Sequence, residues 1–285
     1  MTFTVTNAGL QTLIEDLGRP RLSAIGVSRS GAFDRRALRQ GNALVGNDSG
    51  AAGLEILAGR INLRAEANHV IALTGATAGA TLDGDPVAHG RPVHIRPGQQ
   101  LITGAAVTGI RTYLTVAGGI AAEQVLGSSS TDTMSGLGPA PVRAGDVLRV
   151  GPERGHGVDT DVPALLPYGE LTLHVSLGPR DDWFDAKTVR RFLDTPWTVS
   201  AAANRVGVRL EGLPIDRLRR EELPSEPCVR GSIQIASDGQ PIVLGPDHPV
   251  TGGYPVIAVV HDADTDALGQ TRPGQVVRFL RSTGS

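Results

Sequence analysis

Apolar positions along this chain fall in many short runs, each closed by turn residues. Residues 2–5 and 12–14 open the series, with Asp16-Leu17-Gly18-Arg19-Pro20 as a loop after them. Further runs lie at 61–63, 70–73, 81–82 (turning at Asp83-Gly84), 93–95, 112–116 and 147–150. They resume at 171–175, 197–199, 206–210, 233–235, 242–244, 256–260 and 276–279. Most are rich in Val, Ile and Thr and bounded by Gly, Pro or Asp, which predicts strands. Two stretches break this rhythm. At 35–45, Ala37, Leu38, Leu44 and Val45 recur near helical spacing, with Arg35, Arg36 and Arg39 between them. Asp34 is placed to cap that helix and Gly46-Asn47 to stop it. A second helix is expected over 182–193. The chain therefore reads as mainly β, a sandwich or barrel architecture with a few short helices.

One turn recurs. Arg96-Pro97-Gly98-Gln99 and Arg272-Pro273-Gly274-Gln275 each precede an apolar run, and Arg143-Ala144-Gly145-Asp146 is a looser copy. Pro followed by Gly suits a type II turn, because Pro fixes one dihedral and Gly accepts the positive one. Between 151 and 163 the chain is polar and rich in Gly and Pro, as a linker would be. With 285 residues, about two domains are expected. The division is placed at 1–165, carrying the SGAFD helix motif and the GSSSTD motif, and 166–285, a C-terminal β-barrel domain.

Composition removes several functions. A net charge of -2 with 20% charged residues gives no electrostatic case for nucleic acid or an anionic membrane. No apolar run reaches the roughly 18 to 20 residues of a membrane span. The first residues show no basic region followed by an apolar block, so a cytoplasmic location is expected. A single cysteine, Cys228, allows no internal disulfide. Lys187 is the only lysine and has no Gly-rich neighbour, which excludes a Walker A loop. Phosphate or carboxylate binding must then come from arginines, backbone amides or partner chains.

Other chemistries fail on spacing. The histidines form no HxH or HExxH pattern, so no metal site is expected. Asp262, Asp264 and Asp266 resemble a calcium loop but lack the Gly and the closing Glu it needs. Ser28 and Ser30 do not complete a nucleophile elbow, and Gly118-Gly119 lacks the third Gly of a dinucleotide fingerprint. What remains is a set of dense polar clusters. The loop Ser28-Arg29-Ser30-Gly31 ahead of a helix N-terminus is an anion-binding arrangement. From the clusters, Asp34, Glu55, Asp132, Glu211 and Glu226 are the candidate acids and bases. Ser30, Gly31, Asn42, Ser130, Thr131, Arg205, Arg209, Gln234, Thr251 and Tyr254 are the candidate substrate- or anion-binding residues. Arginine's planar fork favours a small acidic or amide-bearing ligand.

The motifs GVSRSGAFD, GNALVGN, YLTVAGGI, VLGSSSTD, NRVGVRLEG, ELPSE, GSIQIASDGQPIVL and TGGYPVIA carry a resemblance over nearly the whole chain. It resembles the biotin-dependent carboxyltransferase family, in the allophanate-hydrolase subunit two branch that also contains KipA. Departures are Ser28 for a common Pro, Ser129 for an Arg, Val206 for a Met, Ser232 for an Ala and Ala236-Ser237 for two prolines. The resemblance implies two tandem cyclophilin-like β-barrel domains. It implies a heteromer with a B subunit of the same superfamily and a separate A subunit. It also implies ATP as the cofactor of the complex, no covalently attached biotin, and conversion of 5-oxo-L-proline to L-glutamate. The alternatives it leaves open are a carboxyltransferase-type component of a urea carboxylase/allophanate hydrolase system and a KipA-like regulator that binds a kinase inhibitor.

Overall fold

The computed structural model describes residues 2–153, 170–219 and 221–282. The chain divides into two compact units. The first comprises Met1–Arg19, Ser30–Asp132 and Gly136–Leu166; the second comprises Pro20–Arg29, Thr133–Ser135 and Pro167–Ser285. The expected boundary at 165/166 and most of the expected linker lie outside the described residues.

The first unit holds two antiparallel sheets. The seven-stranded sheet runs in the order Ile120–Ala121, Val147–Val150, Thr2–Ala8, Ile61–Ala65, Gln100–Thr103, Ala80–Leu82, Asp85–Val87. The five-stranded sheet runs Gln11–Glu15, Gly53–Leu57, Thr108–Val116, His69–Thr77, Pro92–Ile95. Phe3, Val5, Leu63 and Leu101 from the first share one buried cluster with Leu54, Ile56, Ile71 and Leu114 from the second. Alternation of side chains along each strand makes this possible. The residues between them, such as Ala72, Thr74, Tyr113 and Thr115, are buried too. Tyr113 and Ala72 meet the helix α1 (Arg35–Leu44) or the residues just after it, Tyr113 through Ala37 and Leu38 and Ala72 through Leu44 and Val45. The approach is close enough that a Cβ on Gly41 would lie 2.8 Å from the Thr115 side chain. Asp34 caps α1 as expected, accepting from the Ala37 amide at 2.9 Å.

The second unit is a closed barrel of seven strands. Their order is Leu171–Leu177, Val256–Val260, Ser232–Ile235, Pro241–Leu244, Gly207–Glu211, Trp197–Val199, Val276–Arg281. Parallel pairing of the first with the last closes the ring, which leaves no free edge. Leu171, Leu173 and Val175 point inward by alternation, and Trp197, Val277 and Phe279 are likewise buried. The helix α2 (Ala186–Asp194) plugs one side by stacking Phe192 on Phe279, with ring centroids 4.8 Å apart. A ribbon of Glu226–Pro227 and Thr251–Gly252 lies outside the ring.

Three local expectations change. The helix expected at 182–193 is two pieces, a 3-10 turn at Asp181–Trp183 and then α2, because Asp185 caps the Thr188 amide and restarts the helix. Strand Asp85–Val87 was not expected, since only Val87 in it is a strand-favouring residue, while Gln100–Thr103 is the short apolar run that follows the turn at 96–99. The acids Asp262, Asp264 and Asp266 lie on a third helix, α3 (Asp262–Leu268). There Asp264 accepts from the backbone and ring of His174.

The recurrent turn is the same device three times. Gly98, Gly274 and Gly145 all take positive φ, at 85°, 83° and 95°. In each, the fourth residue donates its amide to the first carbonyl. Its side chain also accepts from the first amide: Gln99 from Arg96 at 2.9 Å, Gln275 from Arg272 at 3.1 Å, Asp146 from Arg143 at 2.7 Å. A Cβ at Gly98 or Gly274 would touch nothing within 4 Å. Gly98→Ala and Gly274→Ala should therefore cost only the left-handed backbone term, about 1–2 kcal/mol each, read as a lowered urea midpoint with unchanged slope.

Candidate functional site

In the first unit the predicted residues assemble into internal networks. Glu55, on a central strand, is directly opposite Tyr113 in the sheet. Its Oε2 accepts from the Phe33 amide at 2.8 Å and the Tyr113 hydroxyl at 2.7 Å, and Oε1 from Arg111 Nε at 3.2 Å. The Tyr113 oxygen in turn accepts from the Asp34 amide at 2.7 Å. The Arg111 guanidinium lies 4.5 Å above the Phe33 ring. Burial, then the nearby Glu55 and Asp34 charges, raise the Tyr113 hydroxyl well above its ordinary pKa, so it stays a donor at every physiological pH. Asp34 and Glu55 are thus brought together, as components of a clamp on the loop that enters α1.

The serine run is a second network. Asp16 Oδ1 accepts from the hydroxyls of Ser128 and Ser130, both at 2.6 Å, and from the Gly18 amide at 2.7 Å. Its Oδ2 takes the Ser129 amide at 2.7 Å. Arg19, itself buried, reaches the carbonyls of Val125 and Ser130. Ser30 and Thr131 donate to the Thr131 and Ile14 carbonyls, both at 3.3 Å. Asn42 donates to the Ala51 carbonyl at 2.8 Å, and Gly31 is packed so that a Cβ would lie 2.7 Å from the Gly18 amide. Asp132 is buried, its backbone joined to Leu137 and Gly136. A pocket of about 320 Å³ opens beside Asp16, Asn47, Asp48, Gly118, Gly119 and Ser129, and the described residues that line it include no basic side chain.

In the second unit Arg205 and Asp247 form a buried fork, with Nε to Oδ2 at 2.8 Å and Nη2 to Oδ1 at 2.9 Å. Thr133 adds its amide at 2.9 Å and its hydroxyl at 2.7 Å to the same Oδ2. Burial pushes the Asp247 carboxyl up, but Arg205 and then Thr133 outweigh it and hold the carboxyl below its ordinary value. Arg205 is therefore committed to an internal partner. Arg209 and Glu211 share the exposed face of their strand, away from this fork.

The polar stretches that do converge near the surface are those around Glu226, Gln234, Thr251 and Tyr254. The ribbon pairs Glu226 with Gly252 and Pro227 with Thr251, and Gln234 Nε2 donates to the Tyr254 carbonyl at 3.3 Å. Gln234 Nε2 also lies 3.4 Å from the Cys228 sulfur. Arg180 Nε sits 2.9 Å from both Glu226 oxygens, and this hydrogen bond, above all, lowers the Glu226 pKa. Glu226 is thus a fixed anion at neutral pH, suited to accept from an N–H and unsuited to donate a proton. Burial, then the Glu226 charge, raises the Cys228 thiol, which makes it a poor nucleophile. Sequence reading missed Arg180, Arg217 and Cys228's place beside Gln234. Only contacts across the barrel reveal them. Among the described residues no group of three or more His, Cys, Asp or Glu is arranged to hold a metal, and no helix is long and apolar enough to cross a membrane.

The motif order resembles that of carboxyltransferase-type proteins, and the mainly β build with a closed barrel agrees with that class. The carboxyltransferase domain model, subdomains A and B, matches residues 25–281, and the chain belongs to that family. It is 37% identical to the C subunit of 5-oxoprolinase from Escherichia coli (strain K12) over 280 residues, 97% of this chain and 90% of that protein. It is 31% identical to the urea amidolyase of Saccharomyces cerevisiae, over 97% of this chain but 16% of that protein. The crystal structure of the Kluyveromyces lactis urea carboxylase superposes with a TM-score of 0.93 at 28% identity, covering 99% of this chain and 27% of that one.

Removing one side of the buried Arg205–Asp247 fork should cost about 3–5 kcal/mol. Arg205→Ala should lower the melting temperature accordingly; a variant that melts normally yet loses turnover a hundredfold would assign Arg205 to the chemistry instead. The depressed Asp247 carboxyl also has a pH signature. The unfolded chain takes up the proton first, so the stabilisation is present above about pH 4 and is lost as pH falls through the folded value. Asp247→Asn, compared with the parent across pH 2 to pH 7, should show a flatter acid limb in its unfolding curve.

Proposed function

We infer that this chain is the C subunit of an ATP-dependent 5-oxoprolinase, active in a complex that converts 5-oxo-L-proline to L-glutamate. One observation carries this reading: likeness to the C subunit of the Escherichia coli 5-oxoprolinase extends over almost the full length of both chains. The likeness to urea amidolyase is confined to a small part of a much longer protein. The partners in this reading are a B subunit of the same superfamily and a separate A subunit, and the two domains of this chain divide near 165/166.

Glu226, held ionised by Arg180, would accept from the lactam N–H, with Gln234 and Tyr254 shaping the same surface. Opening a lactam requires activation of a poor electrophile, and in this reading ATP would supply it: the carbonyl oxygen would take the terminal phosphoryl group with loss of ADP, and water opening the ring would then release phosphate. The described lining of the pocket in the first unit includes Asp16 and Asp48 and no cation, which does not favour a triphosphate there. ATP is accordingly assigned to the complex, at a site completed by a partner.

Mixing the chain with its A and B partners should give ADP release that depends on 5-oxoproline, and Glu226→Gln should cut it by roughly a hundredfold. Avidin should leave turnover unchanged. Inhibition by avidin would instead favour a carboxybiotin-using carboxyltransferase, and tight binding of a kinase inhibitor without turnover would favour a regulator.

A further inference from the structure

A second pocket, of about 530 Å³, lies wholly within the second unit and is lined by Pro214, Ile215, Asp216, Arg217, Arg219 and the turn Ala236-Ser237-Asp238-Gly239. The turn is closed by the Gly239 amide on the Ala236 carbonyl at 3.0 Å. Gly239 has φ 79°, and a Cβ there would sit 2.9 Å from the Ile215 amide nitrogen. Only glycine lets the 214–215 segment dock on the turn, which it does through Ile215 N to Gly239 O at 2.9 Å. The pocket wall is therefore built by the chain and not left by a loose loop.

Two of the four charged side chains described in its lining are paired with residues outside it. Arg219 pairs with Asp182 at 3.3 Å, and Asp216 with Arg191 at 3.4 Å. Asp238 turns its Oδ1 back onto the Gln240 amide at 2.9 Å. Arg217 is half-buried, lies 5.5 Å over the Tyr254 ring and gives one Nη2–H to the Ile235 carbonyl. No carboxylate among the described residues lies within ion-pair distance of it. A guanidinium has five N–H donors, so most of the fork is unspent. Burial lowers its pKa, against weaker attraction from Tyr254 and Asp238, which is the mark of a cation short of solvent. The backbone N–H groups of Ser237 and Asp238 likewise have no acceptor among the described residues.

We propose that the pocket of Arg217, Ser237 and the 236–239 turn is a binding site for a small oxyanion, the carboxylate or phosphate group of a small molecule. The Tyr254 ring and the Ile235 carbonyl hold the guanidinium in place, so the fork is positioned before the anion arrives. The turn supplies a hydroxyl and backbone N–H groups from residues of the same wall. Tyr254 also belongs to the surface assigned above, but the proposal is tested by binding and not by turnover, so the two readings can fail separately.

The test is calorimetric titration of the full chain with sodium acetate in one arm and inorganic phosphate in the other, in a buffer free of other oxyanions. Saturable one-site binding is expected in at least one arm, and the tighter arm names the source of the anion. Arg217→Gln should weaken it tenfold or more. Ser237 is exposed, so Ser237→Glu should fold normally and, by placing a carboxylate at the pocket, should weaken binding at least as much. If Arg217→Gln fails to fold, the parent chain and Ser237→Glu still decide the matter. Absence of saturable binding in both arms, or binding that Ser237→Glu leaves unchanged, overturns the proposal.

Discussion

A carboxylate removed from water must be met by donors, and the way Glu55 meets that demand orders much of the first unit. Its strand neighbour Tyr113 lies on the same face because the two are directly paired across the sheet. That face is the one α1 covers. A single oxygen of Glu55 therefore joins the sheet, through Tyr113, to the loop that starts the helix, through the Phe33 amide. Arg111 closes the other oxygen and lies against the Phe33 ring, so charge and packing act on the same few atoms.

The two units use charge differently. In the first, Glu55 and Asp16 are surrounded by donors from the chain's own backbone and side chains, and they hold loops in place. In the second, one fork is buried in the same manner, Arg205 with Asp247, while Arg180, Glu226 and Arg217 sit where solvent or a ligand can reach them. Three polar stretches of the second unit, ELPSE, SIQIASDGQ and TGGYP, lie close together, with Glu226 pairing with Gly252 and Gln234 reaching the Tyr254 carbonyl. Gly252 shows how tightly these stretches meet: a Cβ there would lie 2.4 Å from the Gln234 amide nitrogen.

Local chemistry was legible where its causes are local. The apolar runs, the Asp34 cap and the repeated Pro-Gly turn each depend on a few neighbouring residues, and each is found at its expected place. The split at Asp185 was legible in principle, since an Asp three residues before Thr188 is itself a cap signal. The polar clusters were different. A run of three serines looks the same whether it faces a ligand or an internal carboxylate, and its partner Asp16 is more than a hundred positions away. Arg205 and Arg209 look equivalent in NRVGVRLEG, yet one is buried on Asp247 and the other exposed on the strand. Arg217 stands in a run of arginines with nothing to distinguish it until Tyr254 and the 236–239 turn are brought beside it.

The parallel pairing of Leu171–Leu177 with Val276–Arg281 has a consequence for how the barrel is made during synthesis. The first strand of the ring leaves the ribosome long before the strand that completes it, and nearly all of the second unit's sequence lies between them. Until the last strand arrives, Leu171–Leu177 and Trp197–Val199 each carry an unpaired edge. Joining ends so far apart in sequence also makes ring closure a slow, entropy-limited event. The nascent barrel thus keeps two unpaired edges until translation reaches the last strand, and for the further time that ring closure takes.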